Sequence, residues 1–186
     1  MRQILPAMTL LALLLPACAL AANWAVRPKE SEIALEFSYL GTPVKAKFGK
    51  FTAAIAFDPA DLAHSGAHVR IDTGSFDSAN DDRDEFAREE VWFAVARFPE
   101  ARFLTKSIRL VSPGRYEASA ELTIRGATKN VILPFTVSIA EGVARMDGAL
   151  TLLRADFGVG QGEWASTKEV GAAVGVSVKV VADRIP

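Results

Sequence analysis

Few side chains in this chain could carry out chemistry, and two histidines are the first candidates. His64 and His68 are four residues apart, as two metal ligands on one face of a helix would be. They flank Gly66, in a predicted turn that leads into a strand, and no third ligand is close in sequence. We therefore predict exposed loop histidines and no metal site.

Acidic side chains are concentrated in residues 81–85, where four of the five positions are Asp or Glu. A calcium-binding loop would also be acidic, but Arg83 interrupts this segment and no loop signature follows it. Acidic residues are favoured in the first turn of a helix, where the helix dipole is positive. The segment therefore predicts a helix that is capped by Asn80 or Asp81 and continues to about Val91.

Glycines at positions 158, 160 and 162 are spaced as in some phosphate-binding loops. Such loops lie between a strand and a helix, and no helix is predicted after this segment. Bends or close backbone contacts at the rim of a sheet explain these glycines better. No nucleophile is accompanied by a recognisable base, so the sequence predicts a protein that is not an enzyme.

The N-terminal segment is predicted to be a cleavable export signal. Arg2 is followed by an apolar run, and Ala19, Leu20 and Ala21 satisfy the A-x-A cleavage rule. The run is shorter than the about 20 apolar residues that a membrane anchor needs. We therefore predict a signal peptide over residues 1–21, a mature domain over residues 22–186, and a periplasmic location. An alternative makes Cys18 a lipidated N-terminus.

The composition of the remaining chain excludes several classes of protein. Removing Arg2 with the leader lowers the formal net charge from −1 to −2, whereas a nucleic-acid-binding surface would be basic. Cys18 is the one cysteine of the sequence, so the mature chain would contain no disulfide bond. Its stability must then come from packing.

Alternation of apolar and polar side chains runs through most of the chain after residue 23. In residues 116–125 and again in residues 170–180, every second side chain is apolar. In residues 44–57 the alternation changes phase at Gly49, which predicts a bulge. Eight such segments with short turns predict an all-β fold, an extended antiparallel up-and-down barrel of eight strands, with one short helix after the fourth strand.

Four blocks of sequence resemble the YceI-like family of secreted lipid-binding proteins. The blocks are VKAKFGKFTAAIAFDP (44–59), RDEF with WFAVARFPEARF (83–103), LTIRGATKNVILPF (122–135) and RADFGVGQGEW (154–164). Their order and spacing match from Trp24 almost to the C-terminus. The resemblance implies a lipocalin-like barrel whose lumen holds a polyisoprenoid chain, such as a quinone tail or a prenyl diphosphate, with no further cofactor.

The chain departs from the family pattern at three positions. Ala46 and Ala53 stand where family members often have glycine, and Glu30 stands where a histidine often precedes the serine. The added methyl groups would narrow the lumen, and the missing histidine would alter contacts with a polar head group. The family also carries the Arg83–Asp84 pair, which could anchor the helix to the barrel or meet a head group.

The predicted lumen-lining residues are the inward apolar side chains and the aromatic residues near one mouth. Small residues on the apolar faces favour a cavity, although a filled core would also explain any single large side chain. The predicted ligand-binding residues are Leu35, Phe37, Tyr39, Phe51, Ile55, Phe57, Ile71, Phe86, Trp92, Phe93, Phe98, Phe103, Ala118, Ala120, Leu122, Leu133, Phe135, Trp164, Val174 and Val176.

The sequence leaves several functions open. The first hypothesis is a periplasmic carrier that takes up an isoprenoid lipid during transient contact with a membrane. A fatty acid or fatty amide in the lumen is the second hypothesis. The form ending in FGVGQGEW resembles a branch found beside membrane b-type cytochromes, which suggests a third, a quinone-linked accessory to such a cytochrome. A homodimer that pairs through an outer strand is also compatible with the sequence.

Overall fold

The computed structural model describes residues 21–186 as eleven strands and one α-helix, with five short 3-10 turns. The predicted leader, with its Cys18, lies outside the described residues except for Ala21. The elements in chain order are β1 (Asn23–Val26), β2 (Glu32–Tyr39), β3 (Thr42–Phe48), β4 (Phe51–Ala56), β5 (Gly66–Asp72), β6 (Phe76–Asp77), α1 (Asp81–Ala87), β7 (Glu100–Ser112), β8 (Arg115–Ile124), β9 (Ala127–Ala140), β10 (Val143–Leu153) and β11 (Val170–Arg184).

These strands close into an antiparallel barrel with eight positions. β1 and β2 share one position, because both pair with the long strand β11, and β3 and β4 share the next. The ring continues through β5, β7, β8, β9 and β10 and returns to β11. The predicted eight-stranded, lipocalin-like barrel is therefore confirmed, and β6 is a two-residue addition that pairs with β3.

The predicted change of phase at Gly49 is also confirmed. β3 ends at Phe48 and β4 begins at Phe51. Even-numbered side chains face inward on β3, whereas odd-numbered side chains face inward on β4. The intervening backbone leaves the ladder and bonds to Ser75 instead: the Gly49 N–H donates to the Ser75 carbonyl at 2.9 Å, and the Lys50 N–H donates to its Oγ at 3.0 Å. The bend lets the barrel wall change direction here.

Two-residue turns connect most neighbouring strands. Leu40–Gly41, Arg125–Gly126 and Glu141–Gly142 each have positive φ at both residues, between 50° and 78°. Turns of this kind match the right-handed twist of the strands that they join, and they strongly favour glycine at the second position. These three glycine-containing turns therefore set the register of the strands that they connect.

The single α-helix is shorter than predicted. Asn80 caps α1 by accepting a hydrogen bond from the Arg83 N–H at 2.9 Å, as expected. The helix ends at Ala87 instead of continuing to about Val91, so that part of the prediction is wrong. The chain turns because Phe93 packs between Phe48 and Phe76 in the core, at ring-centroid distances of 5.8 Å and 5.7 Å.

Within residues 21–186, no helix combines the length and apolar character needed to cross a membrane.

A bidentate ion pair fastens the seam at which the barrel closes. Arg27, just after β1, donates from Nε and Nη2 to the Asp183 carboxylate of β11, at 2.8 Å and 2.6 Å. Arg27 also contacts Glu30 at 3.2 Å. The hydrogen bonds from Arg27 lower the pKa of Asp183, and those to Asp183 and Glu30 raise the pKa of Arg27. Both side chains are partly exposed, so salt will screen the pair.

We predict that Asp183→Asn reduces stability at neutral pH and that this loss fades in acid. The folded-state pKa of Asp183 lies below its unfolded value of about 3.9, so its contribution is present above that pH and disappears as pH falls through the folded-state pKa. Urea unfolding of both proteins across a pH series measures the difference. Arg27→Gln in the Asp183→Asn background should add little. A difference that stays constant down to acid pH would contradict the assignment.

Candidate functional site

The two histidines that first suggested chemistry are both exposed on the surface. His64 ends a 3-10 turn, where its Nδ1 lies 2.8 Å from the Asp61 carboxylate, and His68 lies exposed on β5. Among residues 21–186, no three His, Cys, Asp or Glu side chains come together as metal ligands would.

An enclosed cavity of about 200 Å³ occupies the middle of the barrel. Its wall is apolar apart from Arg154, and several inward positions there hold small side chains, such as Ala53, Ala67 and Ala101. These alanines come from three adjacent strands, β4, β5 and β7, which pair in that order. Each of these strands therefore contributes one alanine among larger inward side chains, such as Phe51, Ile55 and Phe103, and the alanines leave space that larger side chains would fill.

A second cavity, of about 530 Å³, lies above the first and opens at the helix end of the barrel. The two cavities share wall residues, including Leu35, Phe93 and Val174, so they are adjacent parts of one lumen. Polar side chains appear only in this upper cavity and at its junction with the lower one: Asn80, Asp82, Arg83 and Arg154. The lumen therefore has an apolar interior and a partly polar mouth.

Three aromatic side chains meet over the upper cavity, and we call Phe86, Trp92 and Trp164 the mouth cluster. The Trp164 ring centroid lies 5.2 Å from Phe86 and 5.6 Å from Trp92. The neighbours of Trp164 in residues 161–169 are all exposed, so its ring is held mainly by these two contacts. The Trp92 Nε1 donor is buried and has no hydrogen-bond partner among the described residues.

A buried arginine organises the loop beside the mouth. Arg154 is 5% exposed, and its guanidinium donates to six backbone carbonyls at 2.8–3.2 Å. Burial lowers the pKa of this group, and Trp92 lies against it, with the guanidinium carbon 5.6 Å from the ring centroid. The acceptors are the carbonyls of Val159, Gly160, Trp164, Ser166, Val170 and Gly171.

The glycine-rich segment packs closely against this arginine, in agreement with the predicted close backbone contacts. Gly160 has φ of 78°, and a Cβ placed there would lie 2.2 Å from Arg154 Nη1. A side chain at this position would displace the guanidinium. The segment therefore brings carbonyls to a cation, whereas a phosphate-binding loop would present its N–H groups.

Fifteen of the twenty predicted lumen residues lie around the two cavities. Five of them, Phe37, Tyr39, Phe86, Trp92 and Trp164, line the upper cavity alone. Ten line the enclosed cavity, and these are Leu35, Phe51, Ile55, Ile71, Phe93, Phe103, Leu122, Leu133, Val174 and Val176. That they contact a ligand remains a prediction.

The other five predicted residues do not line either cavity. Phe57, Ala118 and Phe135 face inward but belong to the solid core at the end opposite the mouth. Ala120 also faces inward, but its neighbours cover it completely, leaving it 1% exposed. Phe98 lies outside the lumen, because it packs on Gly126 and Arg97.

The sequence prediction missed several wall residues that share the same alternation. Met146, Leu150 and Leu152 on β10 and Val178 and Val180 on β11 face the enclosed cavity in phase with predicted neighbours. Extending the phase along β11 would have found Val178 and Val180, and on β10 Leu150 and Leu152 pair with the predicted Val176 and Val174. Arg154 gave no such signal, because its six acceptors come from local bends in the backbone.

Two further expectations concern the departures from the family pattern and the Arg83–Asp84 pair. Ala53 lines the enclosed cavity, whereas Ala46 is buried in the core, so only Ala53 can narrow the lumen directly. The Asp84 carboxylate accepts hydrogen bonds from the N–H and Oγ of Ser78, at 2.8 Å and 2.6 Å, which anchors α1. Arg83 lines the mouth and lies over the Tyr39 ring at 5.8 Å. Asp84 therefore anchors the helix, while Arg83 lies at the mouth and also donates to the Ser78 Oγ at 3.2 Å; its contact with a head group remains a prediction.

An antiparallel barrel of eight positions with an apolar lumen defines a protein of the lipocalin-like class. A sequence model of the YceI-like domain matches residues 24–182, so the chain belongs to the YceI-like family. A UPF0312 protein of Vibrio cholerae is 29% identical over 137 residues, and the match covers 72% of each chain.

Solved structures share the fold. The crystal structure of BcnA from Burkholderia cenocepacia has a TM-score of 0.82 and 30% identity, covering 84% of this chain and 98% of that one. A polyisoprenoid-binding domain from Saccharophagus degradans, implicated in plant cell wall breakdown, has a TM-score of 0.71 over 90% of this chain and all of its own. That domain is 15% identical, so the likeness concerns the fold alone.

We predict that Arg154→Lys destabilises the protein by about 2–4 kcal/mol, because an ammonium group has three donors and leaves several buried carbonyls unpaired. Chemical denaturation measures the change. Arg145→Lys, at an exposed position on β10, is the matched control and should change stability by less than about 0.5 kcal/mol. Equal effects at the two positions would show that the six carbonyl contacts contribute nothing specific.

Proposed function

We propose that the protein binds an isoprenoid lipid, a quinone or prenyl chain, in the barrel lumen and carries it without chemical change. The enclosed apolar cavity is the observation that carries the proposal. A cavity with an apolar wall stays free of water, so an apolar guest enters it without displacing ordered solvent. The barrel would hold the tail, and the partly polar mouth would hold the head group.

The energetic cost of the void supports a binding role. An unfilled cavity destabilises a protein by roughly 24 cal/mol per Å³, so about 200 Å³ corresponds to about 5 kcal/mol relative to a filled interior. That is a large fraction of the stability of an ordinary domain. A ligand that fills the space restores the missing contacts.

The mouth cluster offers the route of entry. Trp164 contacts Phe86 and Trp92 but has exposed neighbours, so a change of its side-chain rotamer widens the opening of the upper cavity. The unpaired Trp92 N–H weakens the packing of the mouth cluster, since an unsatisfied buried donor costs about 1–3 kcal/mol. Because a bilayer already holds the lipid in an apolar environment, transfer through the mouth is close to neutral in free energy and hence reversible.

The relatives support the same class of ligand. The Saccharophagus degradans domain, which has the same fold, is described as polyisoprenoid-binding. We further propose a periplasmic location after removal of the leader, transient contact between the mouth and a membrane, and service to a membrane b-type cytochrome as quinone carrier. An exposed Leu40 beside the mouth residue Tyr39 suits contact with lipid.

A matched pair of substitutions on β4 tests binding in the lumen. Ala53 lines the enclosed cavity and Ala54 is exposed on the outer face of the same strand. We predict that Ala53→Phe lowers the affinity for geranylgeraniol by about tenfold or more, because the new ring occupies the space of at least two methylene groups. Ala54→Phe should leave the affinity unchanged. Isothermal titration in detergent, with thermal unfolding as a check on folding, measures both.

Competition between geranylgeraniol and palmitic acid distinguishes the isoprenoid proposal from the fatty-acid alternative. Stronger binding of palmitic acid than of geranylgeraniol would favour the fatty-acid alternative over the isoprenoid proposal. Failure of the unmodified protein to bind either ligand, or equal binding by both phenylalanine variants, would overturn the lumen as a lipid site.

A further inference from the structure

The end of the barrel opposite the mouth is closed by packed aromatic side chains, which we call the floor cluster: Phe57, Tyr116 and Phe135. Tyr116 and Phe135 stack at 5.4 Å with an interplanar angle of 25°, and Phe57 meets Tyr116 edge-on at 5.2 Å. All three are buried. Trp24 lies against them and donates from Nε1 to the Phe57 carbonyl at 2.9 Å.

Gly148 allows the floor cluster to pack tightly. It pairs with Phe135 across β9 and β10. A Cβ at position 148 would lie 3.1 Å from the Phe135 Cβ and 3.2 Å from the Leu133 Cδ1. Because Gly148 has no side chain, the Phe135 ring can occupy the space below Leu133.

The enclosed cavity ends directly above this cluster. Its lower wall includes Ile55, Leu133, Met146 and Val180, and each of these also packs in the core that contains the floor cluster. The opposite end of the lumen leads to the mouth. Among the described residues the lumen is therefore a blind tunnel, open at one end and closed by aromatic rings at the other.

We propose that the floor cluster limits the length of the isoprenoid tail and that Phe135 is the residue that sets this limit. The inference rests on the proposed function. A tail that enters from the mouth ends against the lower wall, which the floor cluster holds in place from below, and any longer tail must leave part of itself outside. Phe135 is decisive because it follows Leu133 on the same face of β9 and lies opposite a glycine, so truncating Phe135 opens space into which Leu133 can move.

Variants at the floor should change length preference in opposite directions. Phe135→Ala removes a phenyl ring of about the size of one five-carbon unit and should lengthen the tunnel by about that much. Leu133→Phe should shorten it. In competition between geranylgeraniol and its homologue one unit longer, we expect Phe135→Ala to shift the affinity ratio about tenfold towards the longer alcohol, and Leu133→Phe about tenfold towards the shorter.

Controls separate this inference from folding defects and from the proposed function. If Phe135→Ala fails to fold, the milder truncation Phe135→Leu takes its place and should shift the affinity ratio in the same direction. Ile132→Phe, on the exposed face of β9, should leave the ratio unchanged. If the unmodified protein binds the alcohols but all variants keep its length preference, the floor proposal is wrong while isoprenoid binding stands. If it binds neither alcohol, the proposed function itself fails.

Discussion

The middle of the barrel stays open because alanines on three neighbouring strands leave gaps among the larger side chains that face the interior. An eight-stranded barrel is just wide enough for its own side chains to fill it. Here Ala53, Ala67 and Ala101 lie at different levels of the wall among larger residues, while phenylalanines fill the end of the barrel. The proposed lipid binding depends on this uneven distribution of side-chain volume, because a uniformly filled interior would have no lumen.

The two ends of the barrel are bordered by different kinds of interaction. The floor cluster is a core of stacked and edge-on rings with few degrees of freedom. At the mouth, the backbone of the covering loop is held by the six carbonyl contacts of Arg154, whereas Trp164 is held mainly by contacts between rings. Rotation of the Trp164 side chain can therefore widen the mouth while the backbone of the loop stays in place. This difference gives the lumen its direction, with entry at the mouth and the tail pointing to the floor.

Much of the fold could be predicted from sequence because local rules determine it. Alternation along β8 and β11 identified the inward faces, and the phase change at Gly49 identified the bend between β3 and β4. The end of α1 could not be predicted, because it depends on the packing of Phe93 against residues from distant strands.

The sequence predicts which side chains of each strand face the interior, but it does not predict how far along the barrel each of them lies. Leu133 and Phe135 lie on the same face of β9, yet one lines the cavity and the other closes it, because depth depends on strand tilt and register with neighbours. The same limit explains why Phe57 and Ala118 were placed in the lumen. Arg154 was missed because a lone arginine in a sequence does not reveal six carbonyl acceptors that only the folded loop assembles.

The most direct test of the account is to locate a bound tail in a crystal. A prenyl alcohol carrying bromine at the end of its tail, soaked or co-crystallised with the protein, gives an anomalous signal at the bromine. We expect that signal inside the barrel, above the floor cluster and beside Leu133 and Ile55. A signal on the outer surface, or an interior filled by side chains with no ligand density, would contradict the account.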